Sequence, residues 1–302
     1  MTGSFQRYLR AKRTVDDRAL DRRVVDALRE GIESRAPARE GPFRVLEVGA
    51  GIGTMLARAV EWDLLPAGDV RYTAVDLAAD NVAELRPYLR EWASDRPESV
   101  SGTDPLTLEG EGRRIEVEPV VVEAVEYAEA TTAQYDLLVG VALLDILDLS
   151  GLGTLLEPLA PGGLYYFPIT FDGATRFRPA HPSDRTVERY YHEHMDGKPG
   201  GSSRAGEAVL ARLRETDGVV VLAAGGSDWI VRPVDGSYPA EEAYFLRHIL
   251  DTVEDAVGEV SDDEFEALSG WLSRRRAQVE AGELLYLTHQ LDVLGRVTAA
   301  DD

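Results

Sequence analysis

Apolar residues recur at helical spacing among charges over residues 5–32, where Leu9, Val15, Leu20, Val24 and Leu28 mark one or two helices closed by Gly31 and Pro37. From Phe43 the pattern changes. Val45-Leu46-Glu47-Val48 is a short apolar strand that runs into a glycine turn, and Thr54 to Trp62 continues as a helix. Further strands are predicted at Val70 to Asp76, Ile115 to Val122, Tyr135 to Val141 and Gly163 to Ile169, with a helix over Asn81 to Trp92. Residues 94–114, rich in Ser, Gly, Pro, Asp and Glu, read as a surface loop. Strands alternating with helices imply parallel pairing. The expected fold is therefore α/β, a doubly wound, mostly parallel sheet of about seven strands with helical insertions forming a cap.

The alternation stops after Ile169. Residues 170–200 have little periodicity, a helix follows from Arg204 to Arg214, and Val219 to Ala223 reads as a buried strand that Trp229 to Val231 continues or pairs with. Residues 239–282 are helical, with amphipathic pieces at Phe245–Val257 and Phe265–Val279, and Leu284 to Val297 can close the chain as a strand. This divides the chain into an N-terminal helical segment (1–40), a core (41–170), and the remainder of the sheet (171–302) with insertions at 170–200 and 239–282.

Composition narrows the chemistry. The chain has no cysteine, which removes disulfides, thiolate metal sites and cysteine nucleophiles. The formal net charge is -22, and only Lys12 and Lys198 among the basic residues are lysine. Such a surface repels phosphates, so nucleic acid is not an expected partner. It suits a salt-rich cytoplasm, where screening removes self-repulsion, and this points to a halophilic, cytoplasmic protein. No run of 18 apolar residues predicts a membrane span.

The chemistry-bearing motif is Glu47-Val48-Gly49-Ala50-Gly51-Ile52-Gly53 between a strand and a helix. Glycines there permit positive φ and close approach of a ligand, and the helix start offers free N–H groups. A dinucleotide fingerprint wants a third glycine at position 54, which is Thr54. Glu47 suits a cationic ligand better than a pyrophosphate.

These residues resemble the first motif of class I S-adenosylmethionine-dependent methyltransferases, an acid, any residue, then Gly-x-Gly-x-Gly. The resemblance extends over roughly residues 43–170. It implies that Glu47, Gly49, Ala50, Gly51 and Gly53 hold S-adenosyl-L-methionine. It places Asp76 and Leu77 after the second strand at the ribose, Glu123 and Ala124 beside the adenine (where the family more often has Asp), and Gly140 to Leu144 at the methionine part. The implied activity is methyl transfer to a small organic acceptor, with O- or C-methylation favoured. A nicotinamide-dependent oxidoreductase of Rossmann type and a non-catalytic protein of this fold are the alternatives.

In-line transfer needs alignment and, for a hydroxyl acceptor, a base. Arg189-Tyr190-Tyr191-His192-Glu193-His194-Met195-Asp196 is the candidate pocket lining, with His192 and His194 as bases and Tyr191 beside them. His192 and His194 diverge on a helix, so no metal pair is expected. His289 reads first as a core histidine and second as a pocket residue from the last strand, and Trp229 first as a buried indole beyond a tight turn and second as a pocket residue. Lys12 to Arg18 reads first as a solvated amphipathic helix and second, as the resemblance implies, as one that closes over the cofactor. The two insertions are expected to close the acceptor pocket.

Overall fold

A computed structural model of the chain describes residues 3–38, 40–260 and 267–298. Two helices, α1 (Ser4–Ala19) and α2 (Arg22–Arg35), precede β1 (Phe43–Val48), α3 (Thr54–Glu61), β2 (Gly68–Asp76) and α4 (Ala79–Ala93). The next elements are β3 (Ser99–Gly102), β4 (Leu106–Gly110), β5 (Arg113–Val121), α5 (Ala124–Ala130), β6 (Tyr135–Val139), α6 (Leu152–Leu156) and β7 (Leu159–Arg178). The chain continues through α7 (Asp184–Gly197), α8 (Ala205–Glu215), β8 (Val219–Gly226), β9 (Trp229–Val231), α9 (Glu242–Val260), α10 (Ala267–Glu280) and β10 (Leu285–Val297). Phe265, expected to open the second amphipathic piece, lies outside the described residues.

Among the described residues the sheet has ten strands in the order β3-β4-β5-β2-β1-β6-β7-β10-β8, with β9 pairing β10, so the expectation of about seven was low. Its centre, β5-β2-β1-β6-β7, is parallel, and both flanks are antiparallel. "Mostly parallel" therefore holds for the centre alone. Helices cover both faces. One core gathers α2, α3, α4, α9 and α10 residues such as Leu28, Met55, Leu85, Phe245 and Trp271, and the other gathers Ala128, Leu155, Val209 and Leu213 from α5, α6 and α8. Among the described residues no helix is long and apolar enough to cross a membrane.

Three local expectations are corrected. The segment 94–114 is not a loop: β3 and β4 form a hairpin that adds to β5, burying Leu106 and Leu108. Only Leu106-Thr107-Leu108 alternates there, too short a signal among polar neighbours. The strand ending at Ile169 in the sequence reading runs on to Arg178, paired with β10 over Leu285 to Arg296. Strand β8, expected to be buried, is an edge strand whose residues alternate in exposure, leaving Val220 and Leu222 in solvent.

Candidate active site

The carboxyl ends of the parallel strands open into a cavity of about 630 Å³, within the range of small-molecule sites, which in open α/β sheets lie at this edge. Glu47, Gly49, Ala50, Gly51, Asp76, Leu77, Glu123 and Ala124 all line it. Gly53 and Gly140 do not. Gly53, at φ 86°, caps α3, and a Cβ on it would meet Leu85 of α4 at 3.2 Å, so its role is helix packing. A Cβ on Gly140 would meet Phe167 at 3.2 Å, which makes that glycine a packing residue as well.

The turn is built around Asp76. Its Oδ2 accepts from the Gly51 N–H at 2.7 Å, and its Oδ1 accepts from the Ala78 N–H at 2.8 Å and from Asn81 Nδ2 at 3.1 Å. Gly49 and Gly51 hold φ of 67° and 57°, in the left-handed region that glycine adopts without strain. Glu123 has a structural task that the sequence reading did not assign: its Oε2 accepts from the Glu126 N–H at 2.9 Å and caps α5.

Glu47 is buried at the bottom of the turn and accepts from the Tyr72 hydroxyl at 2.7 Å. Burial pushes its carboxyl up to about 8, and the Tyr72 hydrogen bond only partly offsets this. The Arg58 charge also lowers it, so burial outweighs both the Tyr72 hydrogen bond and this cation.

Beyond the turn, α1, α9 and β10 each contribute a wall of the cavity. From α1 come Phe5, Tyr8, Leu9, Lys12 and Asp16, one stripe at helical spacing, so this helix is a wall of the site and not the solvated helix expected. Arg10, Arg13 and Asp17 tie it to Glu84, Glu61 and Arg58 on α3 and α4. From α9 come His248, Ile249 and Thr252, and the His248 ring stacks on Tyr8 at 4.0 Å. From β10 come Tyr286, Thr288 and Gln290, the alternate positions facing one side of the strand. Trp229 also lines the cavity, and its Nε1 donates to Asp16 Oδ1 at 3.0 Å while Lys12 Nζ donates to Asp16 Oδ2 at 2.6 Å.

The same periodicities separate the three expected catalytic residues. Tyr191 and Met195, four apart on α7, line the cavity, whereas His192 and His194 do not. His192 Nε2 lies 3.1 Å from Thr175 Oγ1 in a separate surface hollow, and His194 Nε2 pairs with Glu259 at 2.8 Å. Neither reaches the space beyond the glycine turn. His289 is neither in the core nor in the cavity: it sits on the opposite side of β10 from Thr288 and Gln290, half exposed, with Nδ1 at 2.7 Å from Asp228. The residues sequence reasoning missed are Tyr8, Asp145, His248, Thr288 and Gln290. One carried a signal: Asp145 ends the apolar run after β6.

No family model and no curated protein matches the chain. Among solved structures it is similar to the cyclopropane synthase MmaA2 from Mycobacterium tuberculosis, at 13% identity and TM-score 0.45, covering 90% of this chain and 82% of that one. It is also similar to YjhP from E. coli, at 14% identity and TM-score 0.44, covering 89% and 92%. A third is a SAM-dependent methyltransferase from Geobacter sulfurreducens in complex with S-adenosyl-L-homocysteine, at 14% identity and TM-score 0.41, covering 89% and 90%. At such identities and TM-scores these likenesses add nothing to the chemistry read from the side chains.

Proposed function

We propose that the protein is an S-adenosylmethionine-dependent methyltransferase acting on a small organic acceptor. The observation that carries this reading is the convergence of Glu47, the Gly49–Gly51 turn and Asp76 on one cavity at the carboxyl edge of the sheet. The donor set fits the cofactor. The left-handed turn leaves backbone room, the Asp76 carboxylate has acceptor capacity left beyond its three protein donors, and Glu47 meets a cation. Leu77, exposed at the mouth beside Ala124, offers apolar cover for a planar base. When bound, the cofactor supplies a methyl group activated on a sulfonium. The chain's own residues hold it, exclude water through α1, α7 and α9, and align the acceptor in the inner chamber.

Binding of S-adenosylhomocysteine and of NADH, measured calorimetrically in high salt, tests the reading. The former is expected to bind, and binding of NADH alone would refute the proposal. The Glu47 carboxyl adds a signed expectation. Because its folded value is raised, its contribution to the stability of the ligand-free protein is full below the ordinary carboxyl range and is lost as pH rises through about 8. A cationic ligand reverses this preference. Binding at pH 7 should therefore release up to about one proton, read from the dependence of the binding enthalpy on the buffer's ionisation enthalpy. Absence of proton release would remove Glu47 from the cation's surroundings.

The acidic surface is proposed as adaptation to a salt-rich cytoplasm. The charge of -22 repels itself at low salt, and at 1 M the screening length is about 3 Å. The thermal midpoint should rise from low to molar potassium chloride, whereas a flat or falling trend counts against the adaptation.

A further inference from the structure

The cavity contains an acid whose carboxyl receives a hydrogen bond from its own backbone but has one oxygen that the protein leaves without a partner. Asp145 follows β6 and lines the cavity, with its Oδ1 buried and making no hydrogen bond. Lys12 acts on it through space, but that ammonium is committed to Asp16 and lies 5.1 Å over the Trp229 ring, so its charge is already matched. Burial pushes the Asp145 carboxyl up to about 6. A buried acceptor with no donor is costly unless a ligand supplies one.

The surroundings narrow what that ligand group is. Tyr8 and Tyr191 both lie close enough to feel the charge of Asp145, and Trp229 and Tyr286 complete an aromatic lining. Ring faces attract cations. Gln290 Oε1, on the same cavity, is also buried and unpaired. With the Lys12–Asp16 pair neutral overall, Asp145 adds a negative charge among π faces. A carboxylate or phosphate group would meet repulsion there, and an alcohol would satisfy the acid but gain little from the rings.

Resting on the methyltransferase reading, we infer that the methyl acceptor is an amine whose nitrogen is held by Asp145 within this aromatic lining. The ammonium passes one proton to the Asp145 carboxylate, and the freed nitrogen lone pair forms the N–C bond. The S–C bond breaks with its electron pair left on sulfur, so the products are a methylated ammonium and the thioether. This assigns the attacked atom as nitrogen, in place of the oxygen or carbon expected from the sequence, and makes Asp145 the catalytic residue in place of His192 and His194.

The test uses the full chain saturated with S-adenosylhomocysteine at one fixed high salt concentration. The probes are 2-phenylethylamine, 2-phenylethanol and phenylacetate, which share a ring and differ in the polar group. Calorimetry should find the amine bound at least about tenfold more tightly than the alcohol, with phenylacetate weakest. Asp145→Asn should erase that preference while S-adenosylhomocysteine affinity stays as in the parent, which shows the fold and cofactor site intact. Equal or better binding of the alcohol or acid, or no binding of the amine at millimolar concentration, overturns the inference while leaving the methyltransferase reading standing. A preference that survives in Asp145→Asn overturns the role of Asp145. Failure of S-adenosylhomocysteine itself to bind overturns the reading beneath both.

Discussion

Gly51→Val should lower the affinity for S-adenosylhomocysteine by more than about 100-fold, a loss of about 2.7 kcal/mol. Position 51 holds φ of 57°, where a β-branched side chain is strained. The new Cβ would stand 3.3 Å from Leu9 Cδ1, so the added methyls must displace α1 or enter the cavity. Either outcome disturbs the ligand's space. Asp76→Ala acts on the same turn from below, removing the acceptor for the Gly51 and Ala78 N–H groups and for Asn81. It should cost about tenfold to 100-fold, in line with the loss of charged hydrogen-bond acceptors. Titration calorimetry on both variants, with circular dichroism to verify the fold, checks this. Unchanged affinity in both removes the cofactor from this turn.

The largest effect on stability is expected from Asp184→Ala, at about 3–5 kcal/mol. The Arg275 guanidinium is fully buried and donates to Asp184, to the Pro179 carbonyl at 2.7 Å and to Gln278 Oε1 at 2.8 Å. Asp184 also accepts from Trp271 Nε1 at 2.8 Å. Removing the carboxylate strands a buried cation and an indole N–H together, whereas replacing both ionic partners by apolar residues avoids the unpaired charge. The double variant Asp184→Leu/Arg275→Met should therefore be more stable than Asp184→Ala. Urea unfolding at fixed salt measures both, and a loss below about 1 kcal/mol for Asp184→Ala would mean that water reaches Arg275. The pair also serves the site, because it anchors the start of α7 to α10, and α7 carries Tyr191 and Met195 over the cavity.

The parts of the protein legible in its sequence are those governed by local physics. The glycine turn could be located because the left-handed region at positions 49 and 51 selects glycine whatever surrounds it. The central parallel strands announced themselves as short apolar runs, since strands buried on both faces need no alternation. Asp76 was legible through the resemblance, which places an acid after the second strand. The Phe245, Leu246, Ile249, Leu250 and Val253 face of α9 was visible as a stripe in need of a partner, and all five are buried.

What only the tertiary structure decided is which side chains share the chamber. Whether His192 or Tyr191 looks inward depends on the rotation of α7 about its axis, one residue being 100° of turn, and that rotation is set by the Asp184–Arg275 anchor and by packing on β7. On β10 a two-residue period sends Thr288 and Gln290 into the cavity and His289 out, a choice made by the pairing with β7 and β9. Lys12 and Asp16 on α1, Asp145 and Trp229 come from three separate stretches of chain and meet only because α1 folds over the carboxyl edge of the sheet. Local sequence encodes the conformation of each stretch, but the charge of Asp145 among π faces is a property of the enclosure, and no single stretch contains the enclosure.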